Sequence, residues 1–330
     1  MSGHVAILGG GAWGSALACV ARRAGHPVHV WVRDAETAAC IQDGSNPIRL
    51  PGIPLARGIT AGTDLAFAVS GADCILIAVP AQALRSVARA VAAHVPSGMP
   101  IAICAKGVER KSLKRMSEVL AEEIPAARAC IFSGPTFAGE VAKGLPTAIT
   151  LAAQDLKAAE IIQTAVGSGS LRAYLSDDPI GAEIGGAVKN VVAVAAGIAT
   201  GRGLGENARA ALVSRGLAEM MRLAVAEGGR AETVMGLSGA GDLILTAMSA
   251  TSRNTSFGIA LGEGRSAQST LSQRSAVTEG YWTAQAVVAL AARAGIEMPI
   301  AQAVNSILGG DVDIDEAIGK LLERPVTVEF

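Results

Sequence analysis

The chain has 330 residues, of which half are hydrophobic and only 3% aromatic, and its formal charge at pH 7 is −1. The length predicts about two domains with a large buried core. The near-neutral charge excludes electrostatic capture of DNA or of an anionic membrane. The scarcity of aromatic residues argues against a stacking platform for single-stranded nucleic acid.

The cysteines and the N-terminus predict a cytoplasmic protein without a leader sequence. The five cysteines are odd in number and form no C-x-x-C pair, so reduced thiols are expected. They show no metal-ligand spacing with the histidines, so no metal site is expected. Glycines at residues 9–11 and 14 interrupt the apolar start that a signal peptide would need. No stretch of about 20 residues is both apolar and free of helix breakers, so no membrane span is expected.

The first half alternates short apolar runs with helix-like, alanine-rich segments. Continuous apolar runs are typical of strands that are buried on both faces of a parallel sheet. The predicted strands are His4–Leu8, Val28–Val32, Cys74–Val79, Ile101–Cys104, Ala129–Phe132 and Ala148–Leu151, and helices are predicted at Gly14–Ala24 and Ala81–Ala93. This alternation predicts a Rossmann-type, doubly wound parallel sheet in an α/β protein.

The second half is predicted to be helical almost to its end. Segments 181–199, 208–227, 283–294 and 299–308 repeat apolar residues at helical spacing. We therefore predict a dinucleotide-binding domain over residues 1–183 and an all-helical, substrate-binding domain over residues 184–330.

Residues 9–14 contain the pattern G-x-G-x-x-G, which on its own is a weak signal. Its position is informative, because it directly follows the first predicted strand and opens the first helix. Gly9 would permit the tight turn, Gly11 would let the backbone approach a pyrophosphate, and Gly14 would let helix and strand pack closely. The N-terminus of that helix would offer N–H donors to the phosphates. The pattern therefore predicts a dinucleotide site.

The end of the second predicted strand leaves the choice of dinucleotide open. Arg33 can accept the 2′-phosphate of NADP, whereas an acidic residue such as Asp34 binds the ribose hydroxyls of NAD. The two residues can also be a solvated charge pair. The sequence predicts NADP or NAD as the cofactor without deciding between them.

Further motifs narrow the class of dehydrogenase. They are, in chain order, AKG at 105–107, SGPTFA at 133–138, GGAVKN at 185–190, NAR at 207–209, GAGDL at 239–243, SRN at 252–254, VTEG at 277–280 and EMPI at 297–300. This succession resembles the bacterial NAD(P)-dependent glycerol-3-phosphate dehydrogenases over essentially the whole chain. The combination is specific, although no single motif is.

The resemblance implies reversible, NAD(P)H-dependent reduction of dihydroxyacetone phosphate, a phosphorylated triose, to sn-glycerol 3-phosphate for phospholipid synthesis. It implies Lys189 as the catalytic acid/base. The substrate site would comprise Lys106, Gly134, Thr136, Lys189, Asp242, Ser252, Arg253 and Asn254. The fingerprint and the resemblance together predict a cofactor site of Gly9, Gly11, Ala12, Trp13, Gly14, Arg33, Lys106, Ala138, Arg253, Val277 and Glu279. The resemblance, with a helical half expected to expose apolar surface, also predicts a homodimer.

The chemistry of ketone reduction suits Lys189. Its neighbours along the predicted helix face are small or apolar, and partial burial would lower the pKa of its ammonium toward neutrality, where proton transfer is efficient. Gly185 and Gly186 are expected to leave open space above the helix for a ligand. The alternative is a surface lysine that extends its ammonium into water.

The remaining polar motifs suit a phosphorylated substrate, and each has a structural alternative. Ser252, Arg253 and Asn254 offer a hydroxyl, a guanidinium and an amide to a dianion, although the same residues would serve in a capped loop. Asp242 could contact substrate or steer the lysine, or it could be a helix N-cap. Lys106 adds positive charge at the carboxyl edge of the sheet.

Rival functions have weaker support in the sequence. A hydroxy-acid dehydrogenase of this architecture would carry K-x-x-N or K-x-x-x-N, whereas Asn190 directly follows Lys189. A redox sensor that binds NAD(H) without turnover would tolerate loss of the proton donor and of the phosphate-binding residues, whereas this sequence has candidates for both. A nucleic-acid-binding regulator would need a basic stripe, which the sequence lacks. A hydrolase would need a motif such as G-x-S-x-G or H-E-x-x-H, and neither occurs.

Overall fold

The computed structural model of the protein describes residues 3–273 and 277–325. The described residues form one eight-stranded sheet. Its strands are β1 (His4–Leu8), β2 (Val28–Trp31), β3 (Ile59–Gly62), β4 (Ala72–Ile77), β5 (Pro100–Ile103), β6 (Arg128–Ser133), β7 (Thr147–Ala152) and β8 (Leu171–Ser176). The order across the sheet is β3-β2-β1-β4-β5-β6-β7-β8, which confirms the doubly wound, mostly parallel architecture.

One part of the sheet differs from the parallel arrangement that the sequence predicts. β7 runs antiparallel to β6, and β8 runs parallel to β7. The chain therefore returns at the carboxyl edge after β6 instead of crossing over the sheet. This return keeps residues 134–138 at the edge where ligands of such sheets bind.

The two edge strands, β3 and β8, were not predicted from the sequence. β3 alternates buried and half-buried residues, and β8 exposes Arg172 and Tyr174. An edge strand is not buried on both faces along its whole length, so neither segment forms the continuous apolar run that identified the inner strands.

Helices cover the sheet and form the second half. They are α1 (Ala12–Arg23), α2 (Ala35–Gln42), α3 (Leu65–Val69), α4 (Leu84–Val91), α5 (Met116–Glu123), α6 (Ala138–Lys143), α7 (Leu156–Val166), α8 (Pro179–Gly201), α9 (Gly205–Ala226), α10 (Ala231–Met235), α11 (Asp242–Ala247), α12 (Arg253–Gly262), α13 (Ala267–Ser272), α14 (Glu279–Arg293), α15 (Pro299–Gly309) and α16 (Ile314–Leu322). All described elements from α8 onward are helical, as predicted.

α8 is the central helix of the second half. Asp178 caps it by accepting a hydrogen bond from the Gly181 backbone N–H at 2.9 Å, and Pro179 occupies the first turn. The predicted domain border at 183/184 therefore falls inside α8 and stays a prediction.

Among the described residues, α8 is the helix long and apolar enough to cross a membrane, although it contains glycines of the kind that the sequence analysis counted against a membrane span. It is instead a core helix, buried from residue 181 to residue 199. Its glycines do not break it, because they lie where another backbone approaches closely. A Cβ on Gly197 would stand 2.2 Å from the Thr255 carbonyl oxygen of α12. This backbone-to-backbone packing explains the abundance of small residues.

Candidate active site

The glycine turn between β1 and α1 has the geometry of a phosphate-binding loop. Gly9 has φ +118°, and a Cβ there would stand 2.7 Å from the Ala78 carbonyl oxygen. A Cβ on Gly14 would stand 1.7 Å from the Gly9 carbonyl oxygen, so only glycine lets α1 approach the turn. A Cβ on Gly11 would meet nothing within 4 Å. The backbone at Gly11 is therefore open to a ligand.

Two further residues hold this turn, and the sequence analysis missed both. A Cβ on Gly10 would stand 2.1 Å from Val32 Cγ1, so this position also requires glycine. Asn46 is 3% exposed, and its Nδ2 donates to the Gly10 carbonyl at 3.0 Å and to Ser15 Oγ at 2.9 Å. No local pattern links Asn46 to the turn, because it lies in an irregular segment more than thirty residues away.

At the end of β2, Arg33 and Asp34 have different environments. Arg33 is exposed. The Asp34 carboxylate accepts a hydrogen bond from the Thr37 backbone N–H at 2.7 Å and caps α2. That hydrogen bond lowers the pKa of Asp34. One of its oxygens is therefore engaged within the protein, whereas Arg33 faces solvent beside the turn.

The loops after β5 and β6 meet at the carboxyl edge of the sheet. Lys106 Nζ donates to the Gly134 carbonyl at 2.9 Å, and Thr136 Oγ1 donates to the same oxygen at 3.2 Å. The structure thus brings together these three predicted substrate residues. Ala138 begins α6 directly after them, and Trp13 packs edge-on against Phe132 at the end of β6.

Lys189 and Asp242 form the buried centre of the site. Lys189 Nζ donates to Asp242 Oδ1 at 3.1 Å and to Thr246 Oγ1 at 2.8 Å. The other oxygen of Asp242 accepts from Lys106 Nζ at 2.7 Å. Lys189 is 6% exposed and Asp242 is 2% exposed. One carboxylate therefore joins two ammonium groups, one from each half of the chain.

Burial governs the proton affinities of this cluster. It lowers the pKa of Lys189 to about 8, an effect that Lys106 and Arg253 reinforce and Asp242 opposes. Burial alone would raise the pKa of Asp242, but Lys106 and Lys189 outweigh it and lower that pKa overall. Asp242 therefore stays ionised, and Lys189 can exchange a proton near neutral pH.

The two glycines before Lys189 do not leave open space, contrary to the expectation from the sequence. A Cβ on Gly185 would stand 3.1 Å from the Ser238 carbonyl oxygen. A Cβ on Gly186 would stand 2.8 Å from Ser133 Oγ and 3.5 Å from Lys106 Cγ. The glycines instead admit the turn before α11 and the stem of Lys106, and this close approach lets the two lysines share Asp242.

Asp242 is not the N-cap of α11, which was its structural alternative. Gly241 holds that position, and Asp242 lies in the first turn. Thr246 lies four residues further on the same helix face, which places its hydroxyl beside both Asp242 and Lys189. The sequence analysis missed Thr246, although its spacing from Asp242 was a usable signal.

The Ser252–Asn254 motif starts α12 and joins three helices. Ser252 caps α12 by accepting from the Thr255 N–H at 3.3 Å, and Arg253 Nη1 donates to the Val277 carbonyl at 2.9 Å. Asn254 Nδ2 donates to Asn190 Oδ1 of α8 at 2.7 Å, and its Oδ1 accepts from a backbone N–H in α14 at 2.9 Å. Ser252 and Asn254 thus make structural contacts, and their roles in binding a ligand stay predictions.

Glu279, at the start of α14, reaches back to the sheet. Its Oε1 accepts from the Ala81 N–H at 3.3 Å, while its buried Oε2 has no hydrogen-bond partner among the described residues. Burial raises the pKa of Glu279. Val277, just before α14, is 37% exposed. An orphaned buried oxygen in this position suits a polar ligand group from a dinucleotide that lies along the edge of the sheet.

Within residues 3–273 and 277–325, no group of three or more His, Cys, Asp or Glu side chains is placed to hold a metal ion. All five cysteines fall in these ranges and are free thiols. The sheet order, the glycine turn and the buried lysine–aspartate cluster are typical of a nicotinamide-dinucleotide-dependent dehydrogenase.

Comparison with known proteins identifies the family. Residues 4–159 match the N-terminal model, and residues 178–319 the C-terminal model, of NAD-dependent glycerol-3-phosphate dehydrogenase. The chain is 54% identical to a glycerol-3-phosphate dehydrogenase [NAD(P)+] of Rhodospirillum rubrum, covering 99% of this chain and 94% of the relative. For that of Parvibaculum lavamentivorans, the identity is 50% and the coverage 98% of both chains.

A solved structure agrees with the sequence comparisons. The crystal structure of glycerol-3-phosphate dehydrogenase from Coxiella burnetii superposes with a TM-score of 0.93 at 39% identity, covering 98% of this chain and 99% of that one. The chain belongs to the NAD-dependent glycerol-3-phosphate dehydrogenase family, and the resemblance inferred from its motifs is confirmed.

Proposed function

We propose that Lys189 supplies the proton in the reaction that this enzyme catalyses, the NAD(P)H-dependent reduction of dihydroxyacetone phosphate to sn-glycerol 3-phosphate. The observation that carries this proposal is a buried ammonium with a pKa of about 8, held between Asp242 and Thr246. A general acid is most effective when its pKa lies near the working pH. In the reverse direction, neutral Lys189 would take the proton from the alcohol.

The neighbours of Lys189 would prepare it for this transfer. Asp242 and Thr246 accept hydrogen bonds from Nζ and so fix its position before substrate arrives. Lys106 would stabilise the negative charge that develops on the ketone oxygen. Asp242 holds its ammonium beside that of Lys189, so the positive charge would already be in place when the substrate binds. Because these groups are fixed where water would otherwise solvate the charge, little free energy is spent on reorienting dipoles during the reaction.

The cofactor would lie along the carboxyl edge of β1, β2 and β4. When bound, it supplies the hydride. The open backbone at Gly11 and the orphaned Oε2 of Glu279 fit a dinucleotide at this edge. The proposed cofactor residues are those predicted from the sequence: Gly9, Gly11, Ala12, Trp13, Gly14, Arg33, Lys106, Ala138, Arg253, Val277 and Glu279.

The substrate phosphate is proposed to bind at the start of α12, where Arg253 and Ser252 lie at a helix N-terminus. Arg253 is exposed at this position, and partial loss of solvation lowers its pKa while Glu279 opposes this effect. The guanidinium can donate two parallel, charge-assisted hydrogen bonds to a dianion that reaches this helix N-terminus. The full proposed substrate set is Lys106, Gly134, Thr136, Lys189, Asp242, Ser252, Arg253 and Asn254.

This phosphate site predicts strong discrimination against the unphosphorylated ketone. We expect the enzyme to reduce dihydroxyacetone with a lower kcat/KM than dihydroxyacetone phosphate. The difference should correspond to about 2–4 kcal/mol of transition-state stabilisation, because the cationic side chains that bind the phosphate would lose their partner. The check is a spectrophotometric assay of NADPH oxidation with both ketones. Adding inorganic phosphite with dihydroxyacetone should recover part of the loss. Equal efficiency with the two ketones would contradict a phosphate site.

Arg33 is expected to select for the 2′-phosphate of NADPH. Arg33→Ala should weaken NADPH binding by about 1–3 kcal/mol and NADH binding much less, since only NADPH carries the charge that a guanidinium pairs with. Dissociation constants for both cofactors at fixed salt decide this. Arg57→Ala, also in the sheet-containing half, serves as a charge-matched control. An equal loss for both cofactors would assign Arg33 to general electrostatics.

The cellular setting and the assembly are proposals as well. The enzyme would act in the cytoplasm and supply glycerol phosphate for phospholipid synthesis. It would work as a homodimer, with one domain over residues 1–183 for the cofactor and one over residues 184–330 for the substrate.

A further inference from the structure

The segment that joins β5 to α5 packs against the helical half of the chain. Val108 is 1% exposed and belongs to the same buried cluster as Ile184 of α8, and Leu113 packs against that cluster. On the outer side, the Arg110 guanidinium lies 4.9 Å from the centre of the Trp282 ring in α14. Because Lys106 lies within this segment, the docking of the segment bears on where the Lys106 ammonium lies.

The segment has a defined and unfavourable backbone conformation. Leu113 has φ +56° and is the only non-glycine residue among those described with a positive φ. That region is strained for a leucine. The Glu109 N–H donates to the Lys114 carbonyl at 2.9 Å and closes a tight loop around Leu113. Packing contacts with the helical half must therefore hold the loop in this form.

Glu183 of α8 holds the far end of the same segment. Its Oε1 accepts from the Ser117 N–H at 2.8 Å, and its Oε2 accepts from the Ser117 hydroxyl at 2.5 Å. Arg115 Nη1 lies 3.7 Å from Oε2. Glu183 is 8% exposed, so these are the contacts that compensate its burial. The neighbouring Ala182 packs in the cluster of the sheet-containing half.

We propose that Glu183 is a positioning residue for the reduction, because its bonds to Ser117 fix α8 against the segment that carries Lys106. Lys189 lies on α8 less than two turns beyond Glu183. The distance between the two ammonium groups that share Asp242 is therefore set, in part, from outside the site. This inference rests on the proposed role of Lys189 as proton donor.

Loosening this contact has a specific consequence for Lys189. Its low pKa depends on burial, on Lys106 and on Arg253, with Asp242 acting in the opposite direction. If α8 moves away from the segment, water reaches Nζ and Lys106 moves off, so the pKa of Lys189 rises toward its ordinary value. A general acid with a higher pKa stays protonated to higher pH. The alkaline fall of kcat for reduction then shifts upward.

The test compares Glu183→Gln with Glu118→Gln in the full-length enzyme. Glu118 accepts a hydrogen bond from the Arg115 N–H at 2.8 Å and pairs with the Arg115 guanidinium, so its replacement weakens the start of α5 but leaves both Ser117 bonds to Glu183 of α8 in place. We expect Glu183→Gln to lower kcat roughly 10- to 100-fold and to move the alkaline inflection up by roughly one pH unit. The Kd for NADPH should change much less, since Lys106 is the only proposed cofactor residue on the displaced segment. Glu118→Gln should change none of the three.

Variants at Ser117 keep the proposal testable if Glu183→Gln does not fold. Ser117→Ala removes the hydroxyl bond alone and should shift kcat and the inflection in the same direction by less, and Ser117→Thr should restore both. A fall in kcat with an unmoved inflection, or equal effects of Glu183→Gln and Glu118→Gln, would overturn the proposal. Lys189→Met, assayed in parallel, separates this failure from failure of the proton-donor role, since it alone tests Lys189 directly.

Discussion

Replacing Lys189 with methionine should lower kcat for dihydroxyacetone phosphate by roughly 10²–10⁴-fold, the usual contribution of a placed acid/base. Methionine keeps the helix and most of the side-chain volume, which matters at a site that is 6% exposed. Lys106 still pairs with Asp242, so the carboxylate is not left alone. The Kd for NADPH should be nearly unchanged, because the other half of the chain supplies most of the proposed cofactor site.

The measurement combines a fluorescence titration of NADPH with kcat at saturating ketone on the same preparation. In the parent enzyme, reduction should decline as the pH rises through about 8, because Lys189 then loses the proton it must donate. Oxidation of glycerol 3-phosphate should rise over the same range, because the base form is then required. A variant that binds NADPH normally and retains kcat within about fivefold of the parent would exclude Lys189 as the donor, since this loss lies well below the expected range.

Replacing Asp242 with asparagine should destabilise the fold by about 3–5 kcal/mol at pH 7, the usual effect of removing one partner from a buried ionic cluster. The change is nearly isosteric, so little of the loss would come from packing. Both ammonium groups lose the carboxylate that now lies 2.7 Å from Lys106 and 3.1 Å from Lys189. Because Asp242 opposes the effect of burial, its loss should also push the pKa of Lys189 further down, so that less of the lysine carries the proton at pH 7.

Urea unfolding at two pH values tests this prediction. The difference between variant and parent should shrink at pH values above the pKa of Lys189, where the lysine is neutral in both proteins. Asp315→Asn is the matched control, since it breaks an ion pair with Arg202 whose aspartate side chain is 71% exposed. Its expected cost is at most about 1 kcal/mol. Comparable losses for the two variants would show that the buried cluster contributes no more than a surface pair.

Local sequence patterns identified much of the fold. The inner strands β1, β2, β4, β5, β6 and β7 were found from apolar runs, because burial on both faces leaves no polar positions. The helix predicted over residues 81–93 corresponds to α4 with a short 3-10 turn at each end. The glycine turn at residues 9–14 was recognised because its spacing and its place after β1 both depend on adjacent residues.

The direction of β7 and the edge strands could not be obtained in this way. An apolar run records that a strand is buried, and it carries no information on the direction of its neighbour. The reversal at β7 depends on the connection at residues 134–146, which contains α6 and returns along the same edge. At β3 and β8, one-sided burial removed the signal itself.

The sequence by itself determined the chemical groups of the site, all of which lie in motifs of adjacent residues. These groups are two lysines, an aspartate, an arginine that follows a capping serine, and a glycine turn. Only the tertiary structure decided how they meet. Asp242 binds Lys106 and Lys189, which lie 136 and 53 positions away in the chain. Asn46 donates a hydrogen bond to a turn that lies 36 positions away. Gly186 leaves room for the side chain of Lys106 and not for a ligand. Periodicity and local spacing encode neighbours within a few residues, whereas shared burial between distant segments arises only when the whole chain packs.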